Sequence, residues 1–366
     1  MALVKPFRAL RYSAGTAGPL DDLVSPPYDV ISPALQERLL GASPYNAVRL
    51  LRPDDPDEAA RLLAQWQREG ILVREEEPAV WLLEEDFVGP DGVARTRRSL
   101  VARAALEPYE RGVVLPHERS FPNPRRGRLR LLEATRTKLS PILLLHDGPA
   151  PPEAPARPAD LEAILDGVTS HLWRIDPRAA DGIEAPLMIA DGHHRYEAAL
   201  AFHEEEGSEE TAHVLAALVS TSDPGLTILP THRVTAGPPP SLDGSFRLTP
   251  AAGAADALAM LEKLPRDRAA FALLRADGAF VAESDSPGLD TAVVDRFPLE
   301  RVHFTPSADE AERAVVTGEA GAAFLVRPPT VEQVEESARA GERMPEKSTY
   351  FYPKLVGGLL FSPFDE

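Results

Sequence analysis

Residues 186–200 read PLMIADGHHRYEAAL, and the fold depends on how this stretch divides. Pro186 to Ala190 is an apolar run of strand length, and from His194 to Glu205 the apolar residues recur at helical spacing. Only Asp191-Gly192 separates them, so a strand runs almost directly into a helix that opens at His193 or His194. The first turn of a helix carries unpaired N–H groups and the positive end of the helix dipole, and both attract anions. Gly192 permits close approach of a ligand, and Arg195 offers a forked donor to phosphate oxygens, serving ligand more than core packing. The plainer alternative is that Asp191 caps the helix, the histidines fill its first turn, and Arg195 pairs with Glu197 or solvent. Adjacent helical residues point about 100° apart, so His193 and His194 cannot share one metal as an i, i+4 pair does. No metal site is assigned from this motif.

Working outward, strand and helix patterns alternate, which makes the chain α/β with α+β mixing. Val4 to Tyr12 reads as a strand, and Leu23 to Ile31 holds Ser25-Pro26-Pro27-Tyr28-Asp29, whose prolines impose an extended, rigid loop. Asn46 to Leu51 reads as a short strand and Asp54 to Glu69 as an amphipathic helix. Ala79 to Val88 and Arg95 to Ala105 flank Gly89-Pro90-Asp91-Gly92 as a hairpin. Arg125 to Leu139 fits a helix, Pro141 to His146 a strand, Ala159 to Leu165 a helix, His171 to Ile175 a strand and Ala212 to Ser220 a strand. Further helices are expected near Ala254 to Leu264, Ala308 to Thr317 and Val331 to Ala340. A length of 366 residues exceeds what one core usually supports. The expected division is residues 1–236 as an N-terminal and central α/β region carrying the site, 237–340 as a C-terminal α/β domain after Gly237-Pro238-Pro239-Pro240, and 341–366 packing back near the site.

Bulk composition narrows the chemistry. The chain has no cysteine, which removes disulfides, thiolate metal sites and cysteine nucleophiles together. Neither a secretory signal nor an apolar run long enough to span a membrane stands out, so the cytoplasm is expected, with no membrane partner. A formal net charge of −18 opposes general adhesion to nucleic acid or anionic lipid. Against that background the basic run Arg119, Arg125, Arg126, Arg128, Arg130, Arg136 and Lys138 is a local reversal of sign, though a solvated helix face accounts for it equally.

Other polar clusters carry candidate roles. His117 and Glu118 could form an acid/base pair next to Arg119; single His-Glu neighbours are also common on surfaces. His232 and Arg233 follow Pro230-Thr231 at a strand end, and Lys347, Ser348 and Thr349 lie in GERMPEKSTYFYPK with Lys354. In an acidic chain, these groups suggest convergence on an anionic ligand. Asp29, held by its two prolines, suits a base or a magnesium contact, or an Asx-type turn.

The motifs VKPFRALRY, VSPPYDVIS, LPHERS, TKLSPI, ADGHHRYEAAL, LPTHRV and ERMPEKSTYFYPK occur in order along nearly the whole chain. Through them the sequence resembles the bacterial and archaeal family catalogued as domain of unknown function 1015, whose name confers no activity. More locally, DGHHR after a strand is similar to the phosphate-binding motif of the ParB and sulfiredoxin superfamily, which includes free serine kinases. That resemblance implies a ParB/sulfiredoxin-like core and gives Gly192, His193, His194 and Arg195 a role in holding nucleotide phosphates. His193 stands where sulfiredoxins carry their cysteine, so sulfinic acid reduction is excluded, and the net charge argues against ParB-type DNA binding.

What the resemblance implies is therefore a free-serine-kinase-like phosphotransferase, moving a phosphoryl group from ATP or ADP with Mg²⁺ to a small hydroxyl metabolite. Asp191 to Arg195 would hold phosphates, Lys138 or Lys347 would offset charge, and Asp29 or Glu118 would orient the hydroxyl. The kinases' catalytic glutamate has no unambiguous counterpart here. A metal-assisted phosphohydrolase using His117, Glu118, Asp191, His193 and His232 stays open as an alternative, as does a regulator that binds a phosphometabolite without turnover.

Overall fold

The computed structural model describes residues 3–118, 122–238, 241–242, 244–285 and 287–364. The chain forms two compact units: Met1–Pro116 with Ser120–Leu226 and Pro353–Glu366, and His117–Arg119 with Thr227–Tyr352. This departs from a division at 236 and 340. His232–Thr235 pairs on both sides with strands of the second unit, and that hydrogen bonding draws the chain from residue 227 onward into it.

Among the described residues the first unit holds a nine-stranded sheet, built from β1 (Val4–Lys5), β2 (Val80–Val88), β3 (Ala94–Ala105), β4 (Val114–Pro116), β5 (Ile142–His146), β6 (Leu161–Leu165), β7 (Val168–Ile175), β8 (Leu187–Asp191) and β9 (His213–Ser220). Their order is β4-β8-β5-β9-β3-β2-β7-β6, with β1 pairing β3. The pairs β8/β4 and β9/β5 are parallel and the others antiparallel, which makes the sheet mixed. Helices α1 (Pro56–Arg68), α2 (Pro122–Thr135) and α3 (His193–Glu206) belong to the same unit. Leu82, Leu100, Ala102, Ala216 and Leu218 on one face of the sheet share a core with Tyr196, Ala199 and Phe202 of α3. Side chains alternate across a strand, so the next residues along β2 and β3 point to the opposite face. There Glu85 and Arg97, direct cross-strand partners, form a fully buried ion pair through Nε at 2.8 Å and Nη2 at 2.6 Å. Burial pushes the Glu85 carboxyl up, against the pull of Arg97.

Among the described residues the second unit holds a six-stranded antiparallel sheet of β10 (His232–Thr235), β11 (Phe246–Ala251), β12 (Ala270–Arg275), β13 (Gly278–Ser284), β14 (His303–Thr305) and β15 (Ala322–Val326), in the order β11-β13-β12-β15-β10-β14. Helices α4 (Ala254–Leu261) and α5 (Ala308–Val316) bury their apolar stripes in one of its two cores, and Phe271, Phe324 and Val294 anchor the other. Helix α6 (Val331–Arg339) starts with a capping box of Thr330 and Gln333.

The hairpin around Gly89 to Gly92 and the helices near 54–69, 194–205, 254–264, 308–317 and 331–340 stand where the sequence places them, within a few residues. The basic helix begins and ends earlier than expected, at Pro122–Thr135, and Thr137–Lys138 instead pairs with Ser362–Pro363. Three expectations are overturned. Leu161–Leu165 is a strand, because Asp166 (φ 49°) and Gly167 (φ 80°) turn it back onto β7, and its alternating burial follows from that pairing. Val48–Leu51 is a helical turn, fixed by the Asn46 side chain accepting from Val48 N at 2.9 Å. Residues 4–12 form two short strands that pair with different partners, Val4–Lys5 with β3 and Leu10–Tyr12 with Leu72–Arg74.

The buried pair makes a direct prediction. Arg97→Met strands the Glu85 carboxylate in the interior and is expected to cost about 3–5 kcal/mol in urea unfolding, whereas Arg97→Met with Glu85→Leu recovers most of that loss. A double variant as unstable as the single one would contradict this assignment.

Candidate functional site

The junction between β8 and α3 is as tight as the sequence suggests. Gly192 occupies the N-cap position at φ 99°, and Arg195 N and Tyr196 N both bond to its carbonyl at 2.9 Å. A Cβ at Gly192 would lie 2.6 Å from Ile142 Cγ2, so both conformation and space demand glycine. The N-cap residue is Gly192, which has no side chain to cap the helix, and this overturns the plain reading of Asp191 as the cap. The β8/β5 register shifts between Ile189 and Asp191, an irregularity of the kind that re-aims a side chain at a strand end.

Asp191 is held instead between two cations. Arg195 Nη2 donates to its Oδ2 at 2.6 Å, and Lys354 Nζ donates to its Oδ1. Burial alone would raise this carboxyl, but the Lys354 ammonium and the Arg195 guanidinium outweigh that cost and hold it well below the usual carboxylate range. Arg195 also donates through Nη1 to Ser140 Oγ at 3.3 Å and to the Pro141 carbonyl. Its ion pair is therefore with Asp191 rather than Glu197, and its remaining bonds tie it to the segment that leads into β5.

The proline-held loop reaches the same neighbourhood. Tyr28 and Asp29 begin a short 3-10 turn. The Tyr28 hydroxyl is raised by burial, with Arg195, Asp29, Arg128 and Asp191 all close enough to act on it. The Arg128 guanidinium lies 3.9 Å from the centroid of the Tyr28 ring, and its Nη1 donates to the Leu51 carbonyl at 2.8 Å. Asp29 is exposed beside these groups. Lys138 is buried with its Nζ 3.9 Å from the Phe364 ring centroid, and it lines a cleft together with Arg128, Ser140 and Arg195.

The remaining candidates lie in the second unit, apart from Arg119, which falls outside the described residues. His117 is buried, with Nε2 2.9 Å from Thr349 Oγ1 and its ring against Phe351, and Glu118 forms a bridge with Met344. Ser348 is buried and donates to the Pro345 carbonyl at 2.7 Å. Lys347 contributes its carbonyl to Arg233 Nη1 at 3.1 Å. Arg233 is fully buried and all its donors are engaged: Nε and Nη2 with Asp295 at 2.9 Å, and the others with the carbonyls of Thr231, Glu346 and Lys347. His232 is buried, pushed down to about 4, and accepts from Val326 N. His232 and Arg233 are thus structural rather than ligand-binding, because no polar atom of the guanidinium remains for a ligand and the imidazole is enclosed. Among the described residues no group of three or more His, Asp or Glu could hold a metal ion, so the hydrolase's five ligands are not assembled.

Three residues of the site escape the motif reading: Tyr28, Arg128 and Ser140. Tyr28 adjoins Asp29 and Arg128 belongs to the basic run, but their stacking depends on a contact far apart in sequence. Lys354 is named in the sequence only as a companion of the Lys347 cluster, with nothing there to pair it with Asp191.

The depressed Asp191 carboxyl sets a pH dependence. A group lowered on folding stabilises above its unfolded pKa, near 4, and loses that contribution as pH falls through the folded value. Asp191→Asn is expected to be about 2–4 kcal/mol less stable than wild type at pH 7, with the gap closing below about pH 4, as urea unfolding at both pH values would read. A pH-independent gap would contradict the ion-pair account.

Comparison with known proteins adds the following. The family model described as Protein of unknown function (DUF1015) matches residues 4–295. No curated protein matches the sequence. Among solved structures, the chain is similar to a free serine kinase in complex with AMP, at 16% identity over 69% of this chain and 86% of that one, TM-score 0.41. It is also similar to a conserved hypothetical protein from Pyrococcus furiosus, at 17% over 70% and 92%, TM-score 0.39. A third similarity is to SbnI with C-terminal truncation from Staphylococcus aureus, at 13% over 71% and 86%, TM-score 0.39. These likenesses are distant, and the site is read from its own geometry. The family match spans most of the chain, which therefore belongs to the DUF1015 family.

Proposed function

We propose that this protein binds a nucleotide, ATP or ADP, by its phosphates at the N-terminus of α3 and transfers a phosphoryl group to a small hydroxyl metabolite. The observation that carries this reading is the glycine turn: a strand end passes through Gly192 at φ 99° into a fourteen-residue helix whose N-cap residue is that glycine, the arrangement that receives phosphate oxygens. The resemblance of DGHHR to a nucleotide-phosphate motif supports the same reading.

In this scheme the backbone at Gly192, His193 and His194 meets the phosphates. Arg195 and Lys354 fix Asp191 and add positive charge beside them, and Lys138 lies along the same cleft as Arg195. Mg²⁺ would be carried mainly by the phosphates, as is usual for this ion, and would neutralise charge on the transferring group. Asp29, exposed beside Tyr28, orients the acceptor hydroxyl and takes its proton. The hydroxyl oxygen then forms the new P–O bond, and the bond to the nucleotide's leaving phosphate breaks. Asp191 is too tightly neutralised to serve as that base.

Phosphorus NMR of the protein with Mg²⁺, ATP or ADP and a panel of small hydroxyl metabolites, serine included, tests the reading. A new phosphoester signal that depends on one acceptor is expected. Inorganic phosphate alone would make the protein a hydrolase, and bound nucleotide without turnover would make it a regulator. Asp29→Asn is expected to lower turnover by about 10²–10⁴-fold while leaving nucleotide affinity within a few-fold; full turnover would remove Asp29 from the scheme.

A further inference from the structure

A cleft of about 470 Å³, counted out to its open side, is lined by residues of α2 and α3 and shares Arg195 with the glycine turn. Arg128, Leu131 and Leu132 are spaced i, i+3 and i+4 on α2, so one face of that helix brings a guanidinium and two leucines to the same wall. Ala198 and Ala199 of α3 are small enough to leave room there, and Leu51, Leu139 and Val214 add further apolar surface beside Thr137 and Ser140. Lys138 lines the cleft as well, but its ammonium is enclosed beside the Phe364 ring. The Arg128 guanidinium is fixed by the Leu51 carbonyl at 2.8 Å and the Tyr28 ring centroid at 3.9 Å, while the residue stays half-buried. With Tyr28 on one side of this planar group, another side borders the cleft.

We infer that this cleft holds the adenine base of the nucleotide, packed against the Arg128 guanidinium and enclosed by the leucines and alanines, while the phosphates lie at Gly192. The inference rests on the proposed phosphate site and extends it to the uncharged half of the ligand. A purine is flat and its faces are largely apolar. A guanidinium plane stacks on such a ring, and the ring faces gain by leaving water for leucine and alanine surface. Arg195 belongs to both places, bonded to Asp191 at the start of α3 and lining the cleft, so a ligand whose phosphates meet the first turn has the cleft within reach of its nucleoside. A bare chain of phosphates has no part that gains from these walls.

Titration of the full-length protein with ATP and with inorganic tripolyphosphate, both with Mg²⁺, separates base from phosphates when read by methyl NMR of Leu131, Leu139 and Val214. ATP is expected to bind at least about tenfold more tightly than tripolyphosphate, and to give those methyls ring-current shifts that tripolyphosphate does not produce. Arg128→Lys keeps the charge and removes the plane, so it is expected to weaken ATP about fivefold while leaving tripolyphosphate within about twofold. Methyls unmoved at about 10 mM ATP, methyls moved equally by tripolyphosphate, ATP no tighter than tripolyphosphate, or unchanged ATP affinity in Arg128→Lys would each overturn the base assignment. If that variant does not fold, the two ligands compared on the wild-type protein decide. The phosphate reading is judged on separate signals: amides of residues 192–194 unmoved by tripolyphosphate would sink it, whatever the methyls show.

Discussion

Asp191 lies at the end of β8, one strand in from the sheet edge, with Lys354 on one oxygen and Arg195 on the other. A carboxylate taken this far out of water is costly unless charge and hydrogen bonds repay it, and here two cations do so. The consequence is mechanical as well as electrostatic. Through Arg195 the end of β8 is tied to Ser140 and Pro141 at the entry of β5, and through Lys354 it is tied to the closing segment of the chain. With three parts of the unit joined at one carboxylate, the glycine turn after it has a single backbone path, and Ile142 closes the space where a side chain would go. A helix terminus held this way receives an anion without first having to be ordered, the condition under which fixed dipoles act most strongly.

The arginines divide into two kinds, and the division decides what each can do. Arg97, Arg233 and Arg327 are buried, each bound to a carboxylate within its own unit: Glu85, Asp295 and Asp290. Arg327 also donates to the carbonyls of Leu264, Pro265 and Arg268, so it staples loops rather than recognising a ligand. Arg128 spends one bond on a carbonyl and stacks on a tyrosine. Arg195 stands between the two kinds, anchored yet lining a cleft. A net charge of −18 conceals this distribution, because the basic residues that matter are concentrated around one strand–helix junction and one cleft.

Much of the first unit was legible in the sequence, for identifiable reasons. The step from apolar run to helical spacing across Asp191-Gly192 is local, so strand, turn and helix were all readable, as was the rigid loop that presents Asp29. Local signals misread or missed account for part of the rest: Asp166-Gly167 is a hairpin turn, and it makes Leu161–Leu165 a strand although its composition resembles a helix. Other features are non-local and have no sequence signature. Arg233 reads as a ligand-binding arginine next to a histidine until Asp295 and three carbonyls surround it, and nothing near Lys354 announces a partner 163 residues away. Spacing reveals which residues share an element, whereas the use of a charge depends on what the fold brings opposite it.

The central claim is that the first turn of α3 receives phosphate. Backbone amide NMR of the isotope-labelled protein titrated with ATP measures this most directly, since the amides of Gly192, His193 and His194 are the groups that would donate. The account requires saturable shifts at these three amides, larger than those at Thr330 and Gln333 of α6, whose amides the capping box already engages. Shifts that leave residues 192–194 unmoved while ATP binds elsewhere would contradict it.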